Sequence, residues 1–362
     1  MYPAMTTPPR LTPCKRLFAA AFTGLFAALM LLGGPACERE AGPVPSSTPS
    51  AAQSLRVVAT VGMVGDVTAS IGGERVNVTT LMGEGIDPHM YKASPADVRL
   101  MTDADLLLYS GLHLEGRMEE LIESLGKRAG SRRYGDQSYV VRVTESVPKE
   151  SLRFPSEFEG HPDPHIWFDV RLWSVVAQRI GAALSIADPA NAETYKANTA
   201  AYVNELARLD LFARESVSTI PQSSRIMVTA HDAFGYFGAA YGLEVLAIQG
   251  ISTDSEASLK DINSLVDTLV ARKVPAVFIE SSVPRKTIDA LIEGCAARGH
   301  RVVIGGELFS DAFGAPGTFE GTYIGMLVHN VTTITKALGG EVREWKPLTN
   351  ATAQPEKAEG TP

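Results

Sequence analysis

Short apolar, β-branched runs alternate along this chain with longer stretches whose apolar residues recur every three or four positions. Leu55 to Thr60, Val76 to Leu81, Leu106 to Tyr109 and Tyr139 to Val143 read as strands. Glu115 to Leu125 and Leu172 to Ile186 have helical spacing. Ser94-Pro95-Ala96-Asp97 writes out a further helix start, with Ser as N-cap, Pro at the first helical position and Asp reaching back from the third. The pattern restarts with strands over Arg225 to Thr229, Glu244 to Ala247, Pro275 to Ile279 and Arg301 to Ile304, and with helices over Ser258 to Lys273 and Tyr323 to Leu338. Strands that alternate with helices predict parallel sheets, so the expected fold class is α/β, in two similar lobes, each a mostly parallel sheet flanked by helices.

Between the two blocks, Tyr195, Thr199, Tyr202, Leu206, Leu209, Ala213, Val217 and Ile220 keep to helical spacing. One helix from Asn191 to Ile220 fits them all and would span on the order of 45 Å at about 1.5 Å per residue. It is expected to join the lobes as a rigid backbone helix; a plain surface helix is the alternative. The predicted organisation is an N-terminal lobe over 55–187, the linking helix over 188–221, a C-terminal lobe over 222–340, and a tail over 341–362 that is polar and frayed from Pro347.

The first residues change the picture of where the chain works. Arg10, Lys15 and Arg16 precede an apolar run from Leu17 to Leu32, short for a membrane span and suited to a secretory signal, so 1–36 is read as a signal peptide and the protein as exported. Gly33-Gly34-Pro35-Ala36 leads into Cys37 as in a bacterial lipobox, which makes Cys37 the expected lipidated residue. Gly34 stands where such boxes usually carry Leu, so ordinary cleavage beside Ala36 stays open. Residues 37–54, rich in Ala, Pro and Ser, read as a flexible tether. Loss of 1–36 removes three basic and no acidic residues, so the net charge moves from −8 to −11, a balance that disfavours nucleic acid and anionic membrane surfaces. With Cys14 in the signal and Cys37 at the cleavage point, Cys295 is left in the fold without a disulfide partner, as a small buried residue on an amphipathic helix.

The chemistry gathers at histidines. Asp163-Pro164-His165-Ile166-Trp167-Phe168-Asp169 repeats the punctuation of Asp87-Pro88-His89-Met90-Tyr91. Proline fixes its own φ and keeps the preceding Asp out of the helical region, so each His is presented from a stiff loop. A third, His231, follows a strand directly, and Glu280, Glu307 and Asp311 lie at or just beyond strand ends. Open α/β sheets bind ligands beyond the carboxyl ends of their strands, so the Asp-Pro-His loops are expected to be two strand ends that converge on one ion. The plainer alternative is that each His packs beneath a turn. Asp87, Asp163 and Asp232 either orient the neighbouring imidazoles or cap turns. His161 is close enough to His165 in sequence to be a candidate auxiliary contact, with a structural role as the alternative, while His113, His300 and His329 read as structural or solvated.

Together with Gly250-Ile251-Ser252-Thr253 and Gly305-Gly306-Glu307-Leu308-Phe309-Ser310-Asp311, these stretches make the chain resemble the metal-binding lipoproteins of bacterial zinc and manganese ABC importers, the TroA type, over nearly all of residues 55–340. The resemblance implies His89, His165, His231 and Asp311 as ligands of one divalent ion, Zn2+ or Mn2+; from the residues alone, Glu280 and Glu307 at strand ends remain rival fourth ligands to Asp311. It implies two lobes with the metal between them, in a monomeric solute-binding protein that is not an enzyme. Such a protein delivers its ion to a cognate ABC permease from the periplasmic or cell-surface face, held to the membrane by Cys37. Three imidazoles and a carboxylate do suit a divalent first-row ion. Both metals stay open: manganese-dedicated relatives commonly carry Glu where this chain has His231, and zinc-dedicated ones a long His-rich loop where it keeps only His161. An exported zinc hydrolase is the rival from another class, but no His-Glu-x-x-His helix or Gly-x-Ser-x-Gly elbow supplies a base. A surface adhesin is a third, with no recognisable partner surface.

Overall fold

The first strand, β1 (Leu55–Val61), is buried on both faces from Val57 onward, as a central strand of a covered parallel sheet must be. After it come α1 (Gly62–Gly72), β2 (Val76–Met82), α2 (Pro95–Asp103), β3 (Leu106–Tyr109) and α3 (Glu119–Lys127). A two-residue hairpin, β4 (Arg133–Tyr134) with β5 (Gln137–Ser138), leads to β6 (Val140–Arg142). The sheet is parallel throughout, in the order β2-β1-β3-β6. A computed structural model describes residues 54–347 apart from 129 and 159. The expected signal peptide, Cys14, Cys37, nearly all of the tether and the tail beyond 347 lie outside the described residues.

α1 is absent from the periodicity reading. Met63, Val64, Val67 and Ile71 are buried, and so are Gly65, Thr68 and Gly72, so the helix shows no clear polar face. Its glycines bring it down onto the sheet: a Cβ on Gly65 would lie 2.2 Å from Thr80 Oγ1 of β2. α2 starts as its sequence says, with Ser94 Oγ accepting from the Asp97 amide at 3.2 Å and Asp97 Oδ2 accepting from the Ser94 amide at 2.7 Å.

Two helices follow, the second of which runs between the two blocks. α4 (Val170–Ala187) is followed by one 3-10 turn over Pro189–Asn191 and by α5 (Ala192–Val217), 26 residues long. At about 1.5 Å per residue α5 spans roughly 39 Å. It ends a turn before Ile220, where the chain tightens into i→i+3 bonds from Thr219 to Ser216 and from Ile220 to Val217. It is no isolated strut, for it lies along α4 and also meets α1.

The second block contains β7 (Ile226–His231), α6 (Gly235–Tyr241), β8 (Glu244–Gln249), α7 (Leu259–Arg272), β9 (Ala276–Glu280), α8 (Lys286–Ala297), β10 (Val303–Leu308) and α9 (Tyr323–Ala337). β7 pairs in parallel with β8, and β9 with β10, while β7 runs beside β9. α/β with parallel sheets, flanking helices and one long helix between the blocks is thus the fold class. α9 also packs along α5, and residues 341–343 bond to the end of that helix: the Glu341 amide donates to Thr219 Oγ1 at 2.7 Å and the Arg343 amide to Ser216 Oγ at 3.0 Å.

Burial falls into two apolar clusters. One unites the first sheet, α1, α4 and α5 with Met227, Phe234, Phe237, Leu308 and Tyr323 of the second block. The other lies between α7, α8 and the strands β7 and β9, with Cys295 fully buried in it. β7 serves both, since Met227 faces the first cluster while Ile226, Val228 and Ala230 face the second, the period-two alternation of a strand. Among the described residues no helix is long and apolar enough to cross a membrane.

Candidate metal centre

The echoed Asp-Pro-His stretches are Asx turns. In each, the Asp Oδ1 accepts the amide N–H two residues on, from His89 to Asp87 at 2.9 Å and from His165 to Asp163 at 3.0 Å. Such a bond, with Pro at the middle position, holds the following imidazole in one direction. Asp163 does more, because the same Oδ1 accepts His165 Nδ1–H at 2.8 Å and so presents Nε2 to the site. The turn around His165 does not follow a strand end as expected; between β6 and Asp163 the chain passes through 3-10 turns at Val143–Ser146, Lys149–Ser151 and Ser156–Phe158.

His231 is the last residue of β7, and Asp311 lies three residues beyond β10. Glu280, the final residue of β9, reaches across to both the backbone and the ring of His231. Its Oε1 accepts the amides of Ala230 and His231 at 2.7 and 2.9 Å, and its Oε2 accepts His231 Nδ1–H at 2.5 Å. The imidazole is therefore oriented by Glu280, and the amide of neighbouring Asp232 donates instead to the Gly250 carbonyl at 3.3 Å. The turn before Asp311 is pinned by Trp167, whose indole N–H donates to the Ser310 carbonyl at 3.1 Å, and by Ser282 Oγ, 2.9 Å from Ser310 Oγ.

Four donors meet as a result. His89 Nε2 and His165 Nε2 are 3.3 Å apart, His165 Nε2 is 3.4 Å from Asp311 Oδ1, and Asp311 Oδ2 lies 3.2 Å from His231 Nε2 and 3.7 Å from His89 Nε2. All four groups are buried, with one donor atom of each within 4.8 Å of the others. A tetrahedral shell with bonds of about 2.0–2.1 Å places its donors about 3.3 Å from one another, so these separations are those of ligands around one ion. His231 Nε2 and both carboxylate oxygens of Asp311 have no hydrogen-bond partner among the described residues. A buried carboxylate left so costs several kcal/mol unless a cation meets it. With both oxygens facing imidazole nitrogens, Asp311 can bind through one or two atoms.

The electrostatics follow from the same contacts. Burial pushes His89 down to about 3 against the pull of Asp311. Burial alone would lower His165 too, but Asp163 and Asp311 outweigh it and raise this imidazole to about 9. His231 is likewise raised, by Glu280 and Asp311 against burial. For Asp311 burial acts upward, and His231 and His165 overcome it to hold the carboxyl well below its ordinary value. The site is tuned to hold positive charge around one aspartate.

The remaining residues singled out in the sequence lie elsewhere. Glu280 is behind the His231 ring, and Glu307 is exposed on β10, its carbonyl accepting from His329 Nε2 at 2.9 Å. His161 is exposed, its ring edge-on to His113 with centroids 4.2 Å apart. His113 Nδ1 is 3.0 Å from Glu119 Oε2, and His300 Nε2 meets the Val274 carbonyl at 2.8 Å. Sequence reasoning missed Glu280 as an orienting group and gave no role to Arg153 and Tyr236. The Arg153 guanidinium lies 3.7 Å from Asp163 Oδ2 and over the Tyr236 ring, and the Tyr236 hydroxyl donates to the Asp163 carbonyl at 3.2 Å. The one signal for Glu280 was a carboxylate that ends a buried apolar strand.

Two α/β blocks spanned by a long helix, with three imidazoles and a carboxylate converging in a buried centre, define a metal-holding binding protein. The chain belongs to the family of periplasmic component A of the zinc-uptake complex (ZnuA), whose profile matches residues 57–337. It is 46% identical over 293 residues to the manganese-binding lipoprotein MntA of Bacillus subtilis, covering 81% of this chain and 92% of that one. It is also 46% identical over 282 residues to the zinc-binding protein TroA of Treponema pallidum, covering 78% and 88%. The solved structure of that periplasmic zinc-binding protein superposes with a TM-score of 0.75 at 45% identity, over 79% of this chain and 99% of the other.

Proposed function

We propose that this protein captures one divalent transition-metal ion, zinc or manganese, at His89, His165, His231 and Asp311 and delivers it to the permease of an ABC importer. The observation that carries this reading is the set of four buried donors spaced as the ligands of one ion, with His231 Nε2 and both Asp311 oxygens lacking any hydrogen-bond partner among the described residues. Relatives named for zinc binding and for manganese binding, equally similar in sequence, support a cargo from this pair of metals. In this reading 55–187 and 222–340 are the two lobes and 188–221 is their link. The chain is exported behind the signal of 1–36 and works as a monomer tethered through a lipid on Cys37. The names of its lipoprotein relatives support the anchor. Capture is favoured over hydrolysis because four buried protein donors would close the coordination shell, whereas a catalytic zinc site keeps one position open.

The test is elemental analysis of the purified mature chain, with competitive titration of zinc and manganese for wild type, Asp311→Ala and His231→Glu. One tightly held ion per chain, lost in Asp311→Ala, is the expected result. His231→Glu, which exchanges an imidazole for a carboxylate, is expected to shift preference toward manganese, the harder ion. A wild-type chain without stoichiometric metal overturns the proposal.

A further inference from the structure

The Gly250-Ile251-Ser252-Thr253 stretch takes no part in the ligand set, yet it reaches from the second block to the first. Its root is tied beside one ligand, where the Gly250 carbonyl accepts the amide of Asp232, the residue after His231. Its tip lands beside another. Thr253 Oγ1 donates to Asp87 Oδ2 at 2.5 Å, and the next residue, Asp254, accepts from Arg117 Nη2 at 3.1 Å.

Both landing points lie on segments that pack against the backbone of His89. Asp87 holds the His89 amide through its other oxygen. Arg117 follows Gly116, whose positive φ of 39° and close approach, with a Cβ position 3.2 Å from the His89 carbonyl, pack that loop against the same backbone. His89 is also the exception among the imidazoles. The rings of His165 and His231 are fixed through Nδ1 by Asp163 and Glu280, each from its own block, whereas among the described residues no carboxylate is bonded to the Nδ1 of His89. What fixes His89 is its backbone, through Asp87, and Asp87 is held from the other block by Thr253.

We infer that Thr253 is a positioning residue that clasps the His89 loop over the bound ion, and that breaking this clasp is the step that frees the ion. The inference rests on the ligand assignment proposed above. Thr253 matters more than the ion pair next to it: a hydroxyl on a half-buried carboxylate is a charge-assisted bond. Arg117 and Asp254 are 51% and 40% exposed, so their attraction is screened. When the clasp opens, three ligands stay locked and His89 alone is released from its orientation.

The experiment follows zinc release from the full mature chain, preloaded with one equivalent of zinc and mixed in a stopped flow with excess chromophoric chelator. Loss of one charge-assisted bond predicts that Thr253→Ala releases zinc about 10- to 100-fold faster, with Thr253→Ser within about threefold of wild type and Arg117→Ala changed by less than about fivefold. Urea unfolding of the chelator-treated variants is expected to match wild type, which separates positioning from a general loss of structure. Release from Thr253→Ala at the wild-type rate, or no rescue by Thr253→Ser, overturns the clasp and leaves the ligand set standing. A wild-type chain that takes up no zinc or manganese overturns the ligand set itself, and the clasp with it.

Discussion

A carboxylate behind one ring nitrogen of a histidine fixes the tautomer and makes the other nitrogen a better donor, so much of the affinity of this centre is set one bond away from the ion. Glu280 is the stronger case. It spends one oxygen on two backbone amides and the other on the ring of His231, so Glu280→Gln, with a single acceptor oxygen, must abandon one side or the other. We expect that change to weaken zinc or manganese binding about 10- to 100-fold in competitive titration. His300→Ala, at a ring bonded to the Val274 carbonyl, serves as the control and should leave binding unchanged. Acid acts on the same nitrogens. Because Asp163 and Asp311 carry His165 up to about 9 in spite of burial, protons compete for its donor lone pair throughout the neutral range. His89, held down to about 3 by burial, resists protonation until strong acid. Affinity should therefore fall steadily between about pH 8 and pH 6, with protons released on metal loading, as isothermal titration in buffers of different ionisation enthalpy would show. A flat profile would be incompatible with His165 as a ligand.

At the scale of elements, the helix hardest to read in the sequence carries the most unusual carboxylate outside the centre. Asp66 of α1 accepts the Tyr323 amide at the start of α9 at 3.0 Å, yet burial outweighs this bond and lifts the carboxyl to about 6. The folded state thus binds a proton more tightly than the unfolded chain does. Above pH 6 the ionised group destabilises the fold in full, and the penalty disappears as pH falls from about 6 towards the ordinary value near 3.8. Asp66→Asn keeps an acceptor for Tyr323 and removes the charge. It should stabilise the chain by on the order of 1–3 kcal/mol in urea unfolding near pH 7.5, with the gain shrinking towards pH 4. α2 was legible and α1 was not for a physical reason: α2 opens on a capping box that is complete within four residues, whereas α1 has no side-chain cap and buries Gly65, Thr68 and Gly72 along with its apolar residues, which leaves little contrast between its faces. The Asp-Pro-His turns were legible because an Asx turn is complete within three residues. The role of Glu280 was not, because it exists only once β9 lies beside β7, and that of Thr253 depends on the two blocks facing each other.

At the scale of the whole molecule the sequence predicts two similar α/β lobes joined by a rigid helix, and burial also connects the two blocks directly. Phe168 of the first block stacks on Phe234 of the second at 4.3 Å, and Trp173 stacks on Tyr323 at 5.5 Å. The Tyr323 hydroxyl donates to the Trp167 carbonyl at 2.7 Å, beside the turn that ends in His165. β7 then passes this connection on, with Met227 in one apolar cluster and Val228 in the other, and ends at His231. Neither block can unfold without exposing aromatic surface of its neighbour, so calorimetry should record one cooperative transition rather than two. The ion adds to the same transition, since its donors come from both blocks: free metal at a hundredfold its dissociation constant should raise stability by about 2.7 kcal/mol and shift the single peak upward without splitting it. If a second peak appeared and only one peak moved with metal, the blocks would be folding separately and the site would be held by one of them. The clasp at Thr253 would then be a contact between independent bodies. If the single peak moves as a whole, the aromatic seam is a rigid back to the site, and opening for release is left to the loops that carry His89 and Thr253.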